Sequence, residues 1–174
     1  MPQRADTFDL DTLNLRSGDG ARIDVETRVA PVSLGGQVYA IRSGAIDSRV
    51  DVSRMSSGYA LRLRFEAHLE GPCMRCLADS RPVIAVDARE VDQPGGGEDL
   101  RSPYLEDDVL DIASWARDAL LLALPAQLLC REDCRGLCPV CGIDLNTVNP
   151  DKHRHERPAD PRWAKLSELK IADK

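Results

Sequence analysis

From Leu61 to Leu69 the chain alternates without a break: Leu61, Leu63, Phe65, Ala67 and Leu69 are separated by Arg62, Arg64, Glu66 and His68. A two-residue period fits a strand with one face in a core and the other in water, and no helix can bury those positions together. Just beyond the run stands Cys73-Met74-Arg75-Cys76. The strand therefore delivers two thiols, one turn apart, to the end of a sheet.

The same period recurs more weakly upstream and downstream. Ile23, Val25, Thr27 and Val29 alternate with charged residues, as do Val50 and Val52. Val38–Ile41 and Val83–Val91 are further candidate strands, and Gly35-Gly36, Ser56-Ser57-Gly58 and Asp79-Ser80 punctuate the runs. The expected class is α+β, mainly β: an antiparallel sheet or open barrel in the N-terminal two-thirds. A sandwich and a single curved sheet fit the pattern equally.

Residues 92–108 read as an acidic, linker-like loop. The period then changes. Ile112, Trp115, Ala116, Ala119, Leu120 and Ala123 recur at helical spacing, Asp111 is placed to cap, and Pro125 stops the run. The spacing predicts a helix over 111–124. Leu121, Leu122 and Leu124 on its other side predict that most of its second half is buried. The expected organisation is a β-rich body over 1–129, a Cys-rich metal-binding loop over 130–150, and a polar tail over 151–174. Within that tail Trp163, Leu166, Leu169 and Lys170 follow Asp160-Pro161 as a short amphipathic helix.

Charge and length narrow the function. The net charge of −6 disfavours a protein that binds nucleic acid over its whole surface. Residues 1–130 hold 14 Arg or Lys against 21 Asp or Glu, whereas residues 131–174 hold 9 against 8, with all four lysines. Any contact with RNA is therefore expected from Arg131, Arg135, Lys152, Arg154 and Arg157. Interspersed Glu132, Asp133, Asp151 and Glu156 equally suit a solvated surface. No apolar run approaches the roughly 20 residues of a membrane span, and Met1–Arg16 lacks the apolar segment of a signal peptide. The expectation is a cytoplasmic protein without a membrane partner.

Six cysteines in such a chain point to metal or redox chemistry. Cys130, Cys134, Cys138 and Cys141 fall within twelve residues, and Cys138-Pro139-Val140-Cys141-Gly142 has the form of a metal knuckle. C-x-x-C spacing lets two sulfurs reach one zinc ion at about 2.3 Å, with backbone N–H groups left to bond the thiolates. The favoured ligand set is Cys130, Cys134, Cys138 and Cys141. The alternative joins Cys73 and Cys76 to Cys138 and Cys141. His153 and His155 are possible substitutes that read more simply as solvated. Cys73 and Cys76 as a redox dithiol is a rival reading, weakened because no helix follows to stabilise a thiolate. Phosphate-loop, dinucleotide, nucleophile-elbow and zinc-protease motifs do not occur, and no catalytic residues are expected.

Taken together, Cys73-Met74-Arg75-Cys76-Leu77, the block Cys134-Arg135-Gly136-Leu137-Cys138-Pro139-Val140-Cys141-Gly142 and the closing Asp160-Pro161-Arg162-Trp163-Ala164-Lys165-Leu166 resemble the YceD family of large ribosomal RNA subunit accumulation proteins. The resemblance runs in order over residues 20–170. It implies a non-enzymatic ribosome-assembly factor whose partner is a large-subunit precursor, met through protein or rRNA. A zinc-dependent interaction module outside ribosome assembly and a C-x-x-C thiol oxidoreductase are the alternatives.

Overall fold

The computed structural model describes residues 3–149 and 152–155. The expected tail helix, the Asp160-Pro161 motif and Arg157 lie outside the described residues. Packing divides the chain between Cys134 and Arg135 into two compact units.

The first unit holds, in order, β1 (Gln3–Arg4), β2 (Thr7–Asp9), β3 (Gly20–Thr27), β4 (Val32–Leu34), β5 (Gln37–Ile41), β6 (Ile46–Met55), β7 (Gly58–Pro72), β8 (Asp79–Ser80), β9 (Val83–Asp92), β10 (Leu105–Glu106), β11 (Val109–Asp111) and α1 (Ile112–Ala123). It is a mainly β fold with one α-helix among the described residues. The larger sheet runs β1-β3-β6-β7-β5-β4, with β8 and β9 also paired to β7, and it does not close into a barrel. All its pairings are antiparallel except β1 with β3.

β7 organises the sheet because the alternation from Leu61 to Leu69 makes it long and half-buried. Val50 of β6 lies opposite Leu63, and Phe65 lies opposite Val86 of β9. Near its end β7 hands over to β5 at Leu69 and Glu70, then to β8 at Gly71 and Pro72. Leu61, Leu63, Phe65, Ala67 and Leu69 are buried with Val25, Val50, Val52, Ile84 and Val86. Each large apolar side chain so buried contributes about 1.5–3 kcal/mol.

The opposite face is a lattice of charge. Arg22 pairs with Asp51 at 2.8 Å, Arg49 with Asp24 at 2.9 Å and Arg62 with Asp87 at 2.6 Å; Arg64 also reaches Asp51. The Arg22 guanidinium, with help from Arg64, holds the Asp51 carboxyl below its usual range. Exposed pairs of this kind add little stability. They penalise a one-residue slip, which would bury the charges and expose the core face.

The acidic stretch is more structured than a linker. β10 and β11 form a hairpin whose turn residues Asp107 and Asp108 both have left-handed φ, 47° and 61°. That is the geometry a two-residue turn between strands requires. β11 then pairs with β2, and Asp92 anchors the start of the stretch by accepting from Arg101 Nε and Ser102 N, both at 3.0 Å.

α1 begins where the sequence places it, with the Asp111 carboxylate accepting from Ser114 N at 2.9 Å. It packs on β9 and β2 through Ile112, Trp115, Ala116, Ala119 and Leu120. Its second half is not mostly buried. Leu122 is 88% exposed, Ala123 is exposed, and Leu121 and Leu124 are half-buried. A helix on the rim of a sheet buries one stripe, and at about 100° per residue Leu122 falls on the far side of that stripe.

Candidate metal centres

β7 runs directly into the first knuckle. Gly71 is required just before it: a side chain there would sit 2.4 Å from the ring of fully buried Tyr39. The Tyr39 hydroxyl donates to the Pro72 carbonyl at 2.8 Å, which pins the strand end. Cys73 N then donates to Ala78 O at 2.7 Å, and Leu77 N donates back to Cys73 O at 3.0 Å. These bonds close the C-x-x-C into a tight turn, and Arg75 N points at the Cys73 sulfur at 3.5 Å.

The chain after α1 is laid along this turn. Met74 N donates to Leu128 O at 2.9 Å, and the Ser80 hydroxyl donates to Leu129 O at 2.8 Å. Arg75 donates from Nε to Gln127 Oε1 and from Nη1 to Cys134 O, both at 3.0 Å. Leu128 is buried in the body's core. The segment thus carries Cys130 and Cys134 to Cys73 and Cys76, and the four sulfurs lie within 4.8 Å of one another.

Their spacing fits a metal. Cys73 and Cys134 sulfurs are 3.7 Å apart, and those of Cys76 and Cys130 are 3.6 Å apart. A tetrahedron with metal–sulfur bonds of about 2.3 Å has sulfur–sulfur edges of about 3.8 Å, whereas a disulfide needs about 2.05 Å. All six cysteines are free thiols. Cys73, Cys76 and Cys134 are buried and Cys130 is exposed.

The cluster is electrostatically uneven. Burial pushes the Cys73 thiol up, but N–H groups of Cys76, Arg75 and Cys130 outweigh it and hold the thiol at about 6. Desolvation and the neighbouring sulfurs push Cys130 up to about 12. Cys73 is therefore the thiol most readily ionised, and Cys130 keeps its proton until a metal ion binding its sulfur displaces it into solvent.

The second unit repeats the turn. Cys138 N donates to Ile143 O, and Gly142 N donates to Cys138 O, both at 2.8 Å. Leu137 and Asp144 bridge across its base. Cys138 and Cys141 lie with His153 and His155, again with ligand atoms within 4.8 Å. The His153 ring and the N–H groups of Cys141 and Val140 hold the Cys138 thiol at about 6.

The groupings differ from both ligand sets read in the sequence. Cys130 and Cys134 are brought to Cys73 and Cys76 rather than to Cys138 and Cys141, because residues 127–134 are bonded along the first turn. Cys138 and Cys141 are joined by the two histidines instead. The signal was available in a count: six cysteines and two tail histidines are enough for two groups of four candidate ligands. Among the basic residues singled out, Arg131 pairs with Asp133 at 3.2 Å. Arg135 is tied to Asn146 through its own N–H and side chain, and Lys152 and Arg154 are exposed. His68, expected to face solvent, is exposed. Among the described residues no helix is long and apolar enough to cross a membrane.

An antiparallel β body whose central strand ends in a four-sulfur cluster, followed by a small unit with a Cys/His cluster, is the class of protein these features define. The chain belongs to the YceD family, described as "Large ribosomal RNA subunit accumulation protein YceD", which it matches over residues 61–170. It is similar to the uncharacterized protein Rv2926c of Mycobacterium tuberculosis, 34% identical over 95% of this chain and 82% of the relative. It is also similar to the uncharacterized protein ML1660 of Mycobacterium leprae, at 29% over 95% and 78%. The uncharacterized protein YlbN of Bacillus subtilis is 25% identical over 97% and 90%. No solved structure matches the chain.

Proposed function

We propose that this protein is a non-enzymatic, cytoplasmic ribosome-assembly factor that promotes accumulation of the large-subunit rRNA, with zinc held by Cys73, Cys76, Cys130 and Cys134. The family match over residues 61–170 carries the cellular role. The zinc rests on the tetrahedral sulfur spacing. Four thiolates fill the coordination of a zinc ion and leave no position for water or substrate, which suits a structural metal. When bound, the ion cross-links β7 to the chain after α1. The negative body favours protein contacts, and Arg131, Arg135, Lys152, Arg154 and Arg157 are the positions proposed to meet the precursor.

The test is deletion of the gene, followed by quantification of large- and small-subunit rRNA and of free subunits on gradients. The large-subunit RNA should fall relative to the small. The intact chain should restore it, and Cys73→Ser/Cys76→Ser should not. An unchanged RNA ratio together with altered transcription would move the protein to the interaction modules outside ribosome assembly. A metal-free protein that cycles a Cys73–Cys76 disulfide would make it an oxidoreductase.

A further inference from the structure

We infer that the second unit holds its own zinc ion on Cys138, Cys141, His153 and His155, so that each chain carries two ions of different ligand class. This stands independently of the cellular role. The geometry is that of a tetrahedral S2N2 site. Cys141 Sγ lies 3.6 Å from His153 Nε2, and His153 Nε2 lies 3.1 Å from His155 Nε2. With metal–sulfur bonds of about 2.3 Å and metal–nitrogen bonds of about 2.0–2.1 Å, the sulfur–nitrogen edge is about 3.6 Å and the nitrogen–nitrogen edge about 3.3 Å. His153 and His155, two residues apart, bring their Nε2 atoms together. Exposed Arg154 stands between them.

A second observation points the same way. Among the described residues the hydrophobic core contains nothing beyond Leu128. Among the described residues of 135–155, the only buried apolar or sulfur side chain is Cys138. Its described residues form a defined knuckle, a bridge and a web of Asp144, Asn146 and Thr147 hydrogen bonds without an apolar core among them, and a segment built that way needs another source of folding energy. Coordination supplies it in small domains of this kind. The two sites also differ in charge. Four thiolates around zinc sum to −2, whereas two thiolates and two neutral imidazoles sum to zero, which leaves the charges of Lys152 and Arg154 uncancelled by the site.

The experiment counts zinc on the full-length protein, purified without chelator, by native mass spectrometry. Wild type should carry two ions per chain, and His153→Asn/His155→Asn should carry one. Cys73→Ser/Cys76→Ser should also carry one. Should that variant fail to fold, cobalt(II) titration of the wild type separates the sites, because an S2N2 set absorbs at shorter wavelength than an S4 set. Only the shorter-wavelength band should vanish in the histidine variant. One zinc per wild-type chain, or an unchanged ion count and cobalt spectrum in the histidine variant, would overturn the inference.

Discussion

Leu77 and Gly142 occupy the same place in two turns. Each follows the second cysteine of a C-x-x-C, each has left-handed φ, 62° and 72°, and each donates its N–H to the carbonyl of the first cysteine, at 3.0 and 2.8 Å. Glycine adopts this conformation freely; a side chain costs about 1–2 kcal/mol. A Cβ on Gly142 meets nothing within 4 Å, so Gly142→Ala isolates the backbone cost. It should weaken zinc at the second site five-fold or more, read by chelator competition, while Leu77→Gly leaves the first site at least as tight.

Arg75 is the side-chain link from the first turn to the segment that completes its cluster, beside the backbone bond of Met74 to Leu128. Arg75→Ala removes both of its side-chain hydrogen bonds and with them the tether on the Cys134 carbonyl. Partners that orient ligands commonly contribute 10–100-fold to metal affinity. The first site should lose about ten-fold in zinc affinity and the second none, measured site by site with cobalt(II).

The metal-free body should gain stability with rising pH. Cys73 sits at about 6 in the fold against an ordinary thiol value of about 8.5 unfolded. Its thiolate stabilises the fold in full above the unfolded value. The contribution shrinks as pH falls and is gone below about 6. Cys130, pushed up to about 12, acts oppositely, and its penalty grows only above pH 8.5. Urea midpoints of chelator-treated protein should therefore rise from pH 5.5 to 8, and Cys73→Ser should flatten the slope.

Leu120 and Leu122 separate core from surface on one helix. Leu120 is fully buried and Leu122 is 88% exposed. Leu120→Ala should cost about 2–5 kcal/mol, whereas Leu122→Ser should stay within about 0.5 kcal/mol. Equal losses in thermal denaturation would place α1 differently on β9.

The strands were legible wherever one face is wet, since Leu61–Leu69 then shows its period directly. α1 was legible from Asp111 and the spacing of its apolar stripe. Leu122 misled because composition alone does not say that a helix lies on a rim. The β10–β11 hairpin hid behind its charges, yet Asp107-Asp108 between Leu105 and Leu110 is the mark of a turn. The cysteine sets were not legible from local spacing. Proximity in sequence favours Cys130 with Cys138, and only hydrogen bonds such as Met74 to Leu128 carry Cys130 back across the fold to Cys76.

β7 has consequences for a chain that is made from one end. Its partners β5 and β6 precede it, but β8 and β9 are synthesised later, and its thiols wait for Cys134. At 5–20 residues per second, the far edge of β7 waits about 1–4 seconds for β9 to be made, and the thiol pair at its tip waits about 3–12 seconds for Cys134. An open edge is a template for wrong pairing. Newborn chains should therefore be most vulnerable to aggregation and to thiol oxidation before residue 134 is made.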